Sequence, residues 1–167
     1  SSPEIKRGID EGMFEAGFVS LPLESGSLGV LPLMEVEDLF VAGEGYKQLA
    51  GRVLTPEELL TLPLAVPAAG TPARRCLEAF LKPPEEWVPA FEASSPEGIR
   101  RFAAAGLGAG FILKEALAGS RGDDGLFPLA VKGKIEARQG AFLFRSDVPL
   151  SPAARAMHDL VRTFRSA

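Results

Sequence analysis

The stretch SSPEIKRGIDEGMFEAGFV at residues 1–19 is echoed by SSPEGIRRFAAAGLGAGFI at residues 94–112. Aligned without gaps, both begin with SSPE, carry arginine at the seventh position and reach Ala-Gly-Phe near the end. Serine as N-cap, then proline and glutamate in the first turn, favours a helix start, so Ser2 and Ser95 are the predicted N-caps. Glycines then end each helix before a short buried strand. Chance agreement is the alternative, but the shared tetrapeptide and spacing favour two lobes of similar topology.

Further helices and strands are predicted between and after the two copies. Capping residues followed by proline start helices at Thr55, Thr71 and Ser151. Apolar or extended segments predict strands at residues 39–42, 62–66, 87–92, 127–131 and 141–144. Because strands alternate with helices, the sequence predicts an α/β fold with mainly parallel sheets.

Composition excludes several classes of function. The net charge of −4 argues against nucleic-acid binding by this chain, because neutralising the phosphates requires a basic surface. One histidine and one cysteine predict no metal site, no disulfide and no cofactor. No apolar run approaches the ~18 residues that span a bilayer, and no signal-peptide layout is present, so a reducing cytoplasm is the simplest setting. Absent asparagine and abundant proline are typical of a thermophile or of a GC-rich genome.

Isolated residues that are able to carry chemistry have plainer interpretations. Cys76 is interpreted as a buried packing residue and His158 as a surface residue, since no nucleophile or acid is placed beside that histidine. Residues 106–110 are glycine-rich, but they follow a helix and precede a strand, the reverse of a dinucleotide-binding turn. Asp123 and Asp124 lie between glycines and are interpreted as a solvated turn.

The order of segments resembles the regulatory domain of LysR-type transcriptional regulators over essentially the whole chain. No single segment is diagnostic, and the resemblance rests on their co-linear succession. The matching stretches are SSPEIKRGIDEGMFEAGFV (1–19), LPLMEVEDLFVAGEGYKQLAGR (31–52), LTPEELLTLPLAVPAAGTPARRCLEAF (54–80), SSPEGIRRFAAAGLGAGFILKEAL (94–117) and FLFRSDVPLSPAARAMHDLV (142–161).

The resemblance implies two Rossmann-like lobes with a ligand cleft between them, as in type II periplasmic binding proteins. It places lobe I at residues 1–41 plus 141–167 and lobe II at residues 42–140. The family's first strand, helix and second strand have no counterpart before Ser1, so the first lobe is expected to be N-terminally truncated. The winged helix-turn-helix that binds DNA in this family is also absent from this sequence.

The family's ligand cleft maps onto nine positions of this chain. The expected effector-binding residues are Ser1, Ser2, Ser20, Leu21, Gly70, Thr71, Gly108, Ala109 and Phe111. Hydroxyls and backbone amides around an apolar wall suit a small carboxylate. For Ser2 and Thr71 a plain structural role such as a helix cap is the alternative, and Ser95 is interpreted as a cap alone. Arg74 is able either to pair with a ligand carboxylate or to face solvent.

The resemblance implies an effector-binding domain that controls transcription in a parent protein, senses a small anion and is not an enzyme. It also implies a homodimer or homotetramer that reaches DNA only through another domain. Two alternatives stay open. An extracytoplasmic solute-binding protein shares the fold but needs a signal peptide, and an enzyme on a two-lobed fold needs a catalytic constellation that the sequence does not show.

Overall fold

The computed structural model describes residues 1–118 and 125–165 and divides the chain into two compact units. The first unit combines Ser1–Val36 with the chain from Arg138 onward, and the second unit is Glu37–Ala137. The lobe boundaries expected from the sequence lie after residues 41 and 140, whereas the two compact units are divided after residues 36 and 137. The whole of the strand Asp38–Ala42 therefore lies in the second unit.

Within the residues that the structure describes, the first unit consists of a three-stranded sheet and two helices. Its helices are α1 (Ser2–Asp10) and α6 (Pro152–Arg165), and its strands are β1 (Ala16–Leu21), β2 (Gly29–Val36) and β10 (Arg138–Phe144). The order is β1-β10-β2, and β10 pairs antiparallel with both neighbours. Ile9 of α1 is fully buried with Val19 and Leu143, so α1 packs its apolar stripe on this sheet.

The second unit consists of a five-stranded sheet, a short strand pair and four helices among the described residues. Its helices are α2 (Pro56–Leu60), α3 (Pro72–Leu81), α4 (Pro96–Ala104) and α5 (Lys114–Ala118). Its strands are β3 (Asp38–Ala42), β4 (Val53–Leu54), β5 (Leu64–Pro67), β6 (Phe91–Ala93), β7 (Ala109–Leu113), β8 (Phe127–Pro128) and β9 (Ala130–Val131). The large sheet has the order β6-β5-β7-β3-β8, while β4 and β9 pair separately. A 3-10 helix, Glu44–Leu49, follows β3.

The helix starts at Thr55 and Thr71 and the strand at residues 39–42 are confirmed, but the prediction of mainly parallel sheets is wrong. Within the described residues, β5 pairs parallel with β6 and β7, and β4 with β9. The pairings of β1, β2 and β10, and those of β3 with β7 and β8, are antiparallel. The antiparallel pairings all involve β3 or β10, the first strand that the chain forms after each of the two changes of unit. Local sequence patterns predict that a strand forms, but they do not predict its direction relative to its neighbours.

Candidate functional site

The first unit places the start of α1 beside the end of β1. Gly17 makes this close approach possible, since a Cβ there would lie 2.5 Å from Cγ2 of Ile5. The missing side chain lets the helix lie directly on the strand. As a result, Ser2 at the start of α1 and Ser20 near the end of β1 become neighbours although 18 residues separate them.

A hydrogen bond joins these two serines. The backbone N–H of Ser20 donates to Oγ of Ser2 over 2.9 Å. Ser2 was predicted to be the N-cap of α1, but the structure gives that position to Ser1, whose hydroxyl and ammonium groups both donate to Glu4. The prediction is wrong by one residue because the serine doublet offers two equivalent caps. Ser1 takes the N-cap position, so the hydroxyl of Ser2 can accept a hydrogen bond from β1.

A cavity of about 320 Å³ lies beside this hydrogen bond, wholly within the first unit. Its lining is mostly apolar, and its side-chain polar groups are the two serine hydroxyls. The lining residues are Ser2, Phe18, Val19, Ser20, Leu33, Met34, Val36, Gly140 and Ala141. Across the described residues, the Ser2 hydroxyl accepts a hydrogen bond but donates none, and the Ser20 hydroxyl makes none. Two donors are therefore available to a ligand.

Two of the four residues expected in the first unit lie outside this cavity lining. Ser1 is engaged with Glu4, as described above. Leu21 packs with the apolar cluster around Ile9 and Val19. The structure thus brings Ser2 and Ser20 together at one cavity, while Ser1 and Leu21 serve the helix start and the core.

Gly70 and Thr71 form the turn that opens α3 in the second unit. Gly70 has a φ of +76°, a conformation that glycine adopts without strain. Thr71 caps α3, because its Oγ1 accepts from the Arg74 N–H over 3.2 Å and donates to the carbonyl of Ala68 over 2.7 Å. The interpretation of Thr71 as a helix cap is therefore confirmed. Since its single donor is committed, Thr71 can offer a ligand only a remaining lone pair.

Gly108, Ala109 and Phe111 are embedded in the core of the second unit. The N–H of Ala109 donates to the carbonyl of Pro63 over 2.9 Å, and a Cβ on Gly108 would overlap that carbonyl. Phe111 is fully buried, with its ring 4.9 Å from the Phe40 ring. These contacts explain the glycine-rich sequence before β7 as close packing, and the side chain of Phe111 belongs to the hydrophobic core.

Arg74 is neither a free ligand contact nor a solvent-facing residue, so both predictions for it are wrong. Only 8% of this residue is exposed. Its guanidinium donates to Glu78 over 2.7 Å, to Glu92 over 2.9 Å and to the Pro67 carbonyl over 3.2 Å, and it lies 5.7 Å from the Trp87 ring centroid. Its charge is satisfied within the second unit, because three elements converge on it.

The other singled-out residues have structural surroundings. Cys76 packs against the second unit's core, half-buried, and its thiol donates to the carbonyl of Glu136. His158 was interpreted as a surface residue, but it is half-buried, edge-on to Phe144 at 5.0 Å and 3.2 Å from a carboxylate oxygen of Asp159. The helix period turns it toward β10, which the sequence alone did not identify. Asp123 and Asp124 lie outside the described residues.

A second cavity of about 380 Å³ also lies in the first unit. It is formed by the end of β10, the following loop and the start of α6. Its lining residues are Phe144, Arg145, Ser146, Val148, Pro149, Leu150, Arg155, His158 and Asp159. Unlike the cavity at Ser2 and Ser20, it has charged side chains of both signs, and Arg145 is paired with Asp147 at 2.6 Å.

Sequence reasoning missed most of the wall around Ser2 and Ser20. Leu33, Met34 and Val36 come from β2, a strand that was not predicted, and Gly140 and Ala141 come from β10. The bond between Gln139 and the Met34 carbonyl joins positions 105 residues apart. No local pattern reports such a pairing. Among residues 1–118 and 125–165, no cluster suited to a metal ion is present, and no described helix is long and apolar enough to cross a membrane.

Comparisons with known proteins agree with this architecture. A family model described as the LysR substrate binding domain matches residues 1–165. The CcmR regulatory domain of Synechocystis PCC6803, solved in complex with 2-PG, superposes with a TM-score of 0.79 and 16% identity, over 98% of this chain and 79% of that one. The reduced OxyR regulatory domain of Pseudomonas aeruginosa superposes with a TM-score of 0.76 and 19% sequence identity, over 99% of this chain and 79% of that one. Reduced OxyR of N. meningitidis superposes with a TM-score of 0.75 and 16% identity, over 98% of this chain and 78% of that one. A search of curated proteins finds no significant match. The predicted α/β fold, like that of type II periplasmic binding proteins, is confirmed.

Proposed function

Because this chain belongs to the LysR substrate-binding family, it is an effector-binding domain of a LysR-type regulator, and we propose that it senses a small organic acid at Ser2 and Ser20. The observation that carries this assignment is the cavity of about 320 Å³ beside the Ser2–Ser20 hydrogen bond. Its volume is within the usual range for small-molecule sites, and an apolar wall with a few fixed polar groups is their usual composition.

The polar groups of this cavity suit a carboxylate. The hydroxyls of Ser2 and Ser20 have donors that no described residue uses, and the positive end of the α1 dipole is at Ser2. An acceptor with two oxygens would engage both hydroxyls. Of the nine expected residues, we retain Ser2 and Ser20 as direct contacts, whereas Gly70 and Thr71 form the opening turn and the N-cap of α3. We assign Ser1, Leu21, Gly108, Ala109 and Phe111 to packing, because their groups are already committed.

Sensing requires no chemical turnover. A ligand that binds one conformation better than another shifts the population toward it by its differential affinity. We propose that the parent protein uses this shift in the cytoplasm, as a homodimer or homotetramer. We place its DNA contacts outside this chain, because the net charge of −4 is unfavourable for holding phosphates.

The experiment is isothermal titration calorimetry of the chain with acetate, phenylacetate, malonate and 2-PG, on wild type, Ser2→Ala and Ser95→Ala. Ser2→Ala removes one donor to a charged oxygen, so the affinity for the acid that binds should fall about tenfold. Ser95→Ala is the matched control, since its hydroxyl accepts from Gly98 and only caps α4. It should leave the affinity unchanged and lower stability by about 1 kcal/mol.

The proposal fails if none of these acids binds the wild type. It fails equally if Ser2→Ala and Ser95→Ala change the affinity alike.

A further inference from the structure

The walls of the Ser2–Ser20 cavity carry information about the acid that fits it. Phe18 and Met34 both line the cavity and remain 48% and 44% exposed. Leu33, Val36 and Ala141 complete an apolar surface around them. Large apolar side chains that stay exposed in a concave patch are typical of ligand sites, because covering them removes apolar area from water.

The cavity also lacks a counter-charge. None of its nine lining residues, all within the described part of the chain, is lysine, arginine or histidine. The second cavity of the same unit differs, since Arg145, Arg155 and His158 line it. Two hydroxyls suit a single carboxylate, whereas a phosphate ester or a dicarboxylate would bring a second negative charge into an apolar wall without a partner.

Building on the proposed function, we propose that the effector is a monocarboxylic acid with an aromatic or branched aliphatic body. Its carboxylate accepts from Ser2 and Ser20, and its body covers Phe18 and Met34. Each methylene-sized group that becomes buried multiplies the affinity about fourfold, so the apolar body contributes much of the binding free energy. The class of ligand follows from the contrast between the seven apolar or glycine positions of the wall and the two neutral hydroxyl donors at the same cavity.

The test compares phenylacetate and isovalerate with acetate, malonate and 2-PG by calorimetry, together with amide NMR shifts at Val19 and Ser20. Phenylacetate should bind at least tenfold more tightly than acetate and shift both amides. Met34→Lys places a cation in the apolar wall, so phenylacetate affinity should fall at least tenfold while malonate affinity rises. Met157→Lys is the matched control, because Met157 is 40% exposed in the same unit and lies outside the cavity lining.

Three results overturn the inference and leave the proposed function standing. In the first, malonate or 2-PG shifts the Ser20 amide and binds more tightly than phenylacetate. In the second, acetate and phenylacetate bind with equal affinity. In the third, Met34→Lys and Met157→Lys have equal effects on the affinity for phenylacetate. If no acid shifts the Val19 or Ser20 amides, the proposed function itself is overturned, and the class of ligand falls with it.

Discussion

The two copies of the helix–glycine–strand unit, α1 with β1 and α4 with β7, use the same local packing. Ile5 lies over Gly17 in the first copy and Ile99 lies over Gly110 in the second, where an added Cβ would be 2.5 Å and 2.8 Å from the isoleucine Cγ2. Each helix is followed by a glycine with positive φ, +73° at Gly12 and +71° at Gly106. The internal echo in the sequence therefore corresponds to a shared structural motif.

The copies differ in what lies beside their strands. In the second unit β7 is central, between β5 and β3, and its residues Ala109–Ile112 are buried. In the first unit β1 is at the edge of the described sheet and pairs only with β10. The N–H of Ala109 donates to the carbonyl of Pro63, the residue before β5, while the N–H of Ser20 donates to a side chain. One motif thus forms a core strand in one unit and a cavity wall in the other, because its neighbours decide what is exposed.

The strongest test of this contrast is at Gly108, whose aligned counterpart in the first copy is Glu15. Gly108→Ala would drive a Cβ into the Pro63 carbonyl, so the free energy of unfolding should fall by about 3 kcal/mol or more. Glu15 accepts from the Ser151 N–H over 3.1 Å, so Glu15→Ala should cost only about 1 kcal/mol. Urea unfolding monitored by circular dichroism measures both. Equal costs would mean that the two positions are packed alike.

A second test compares the paired isoleucines. Ile99 is fully buried, so Ile99→Ala should lower the free energy of unfolding by about 2.5 kcal/mol through lost burial and a residual cavity. Ile5 is half-buried at the edge of its cluster, and Ile5→Ala should cost about 1 kcal/mol. The same unfolding curves provide the values. A larger loss for Ile5→Ala would show that the first copy is the better packed.

The smallest effect concerns the glutamates at the helix starts. Hydrogen bonds from Arg100 and Arg101 lower the pKa of Glu97 to about 2 from its usual 4.5. The pKa of Glu4 is also lowered, chiefly by its hydrogen bond from the terminal ammonium of Ser1. Because a lowered pKa stabilises the folded state above the unfolded-state value, this contribution should be lost as pH falls from 4.5 toward 2.

Thermal unfolding of Glu97→Gln and wild type at several pH values measures that contribution. The variant should be slightly less stable at pH 7, and the difference should vanish as pH approaches 2. Glu4→Gln is the control in the other copy, and carboxyl NMR titration gives both midpoints directly. A Glu97 midpoint near 4.5 would show that the arginine contacts do not persist in solution.

Much of the architecture was predictable from local patterns. The caps at Thr71 and Ser95 are where the sequence indicated, as is the strand after each helix of the repeat. The resemblance to LysR-type regulators is confirmed by the family match over residues 1–165. Capping and apolar periodicity are properties of a few neighbouring residues, so they can be recognised in the sequence without knowledge of the fold.

The candidate site was predictable only in part. Ser2 and Ser20 were named in advance, but Met34 and Gly140, which stand opposite each other in the β2–β10 pairing, were not. Arg74 was also misjudged, since its partner Glu92 is 18 residues away. Contacts of this length depend on how strands assemble, and a single sequence has no local signal for them.

The sequence by itself determined where α2, α3 and α4 begin, because serine or threonine caps and prolines act through the nearest backbone groups. Only the tertiary structure decided that β1 lies at the edge of its sheet while β7 lies between two strands. It also decided that the Ser2 hydroxyl accepts from the Ser20 N–H and does not cap α1. The physical reason is that a hydrogen-bond donor or an apolar side chain takes the partner that the assembled sheet leaves within reach, and that partner is set by residues far along the chain.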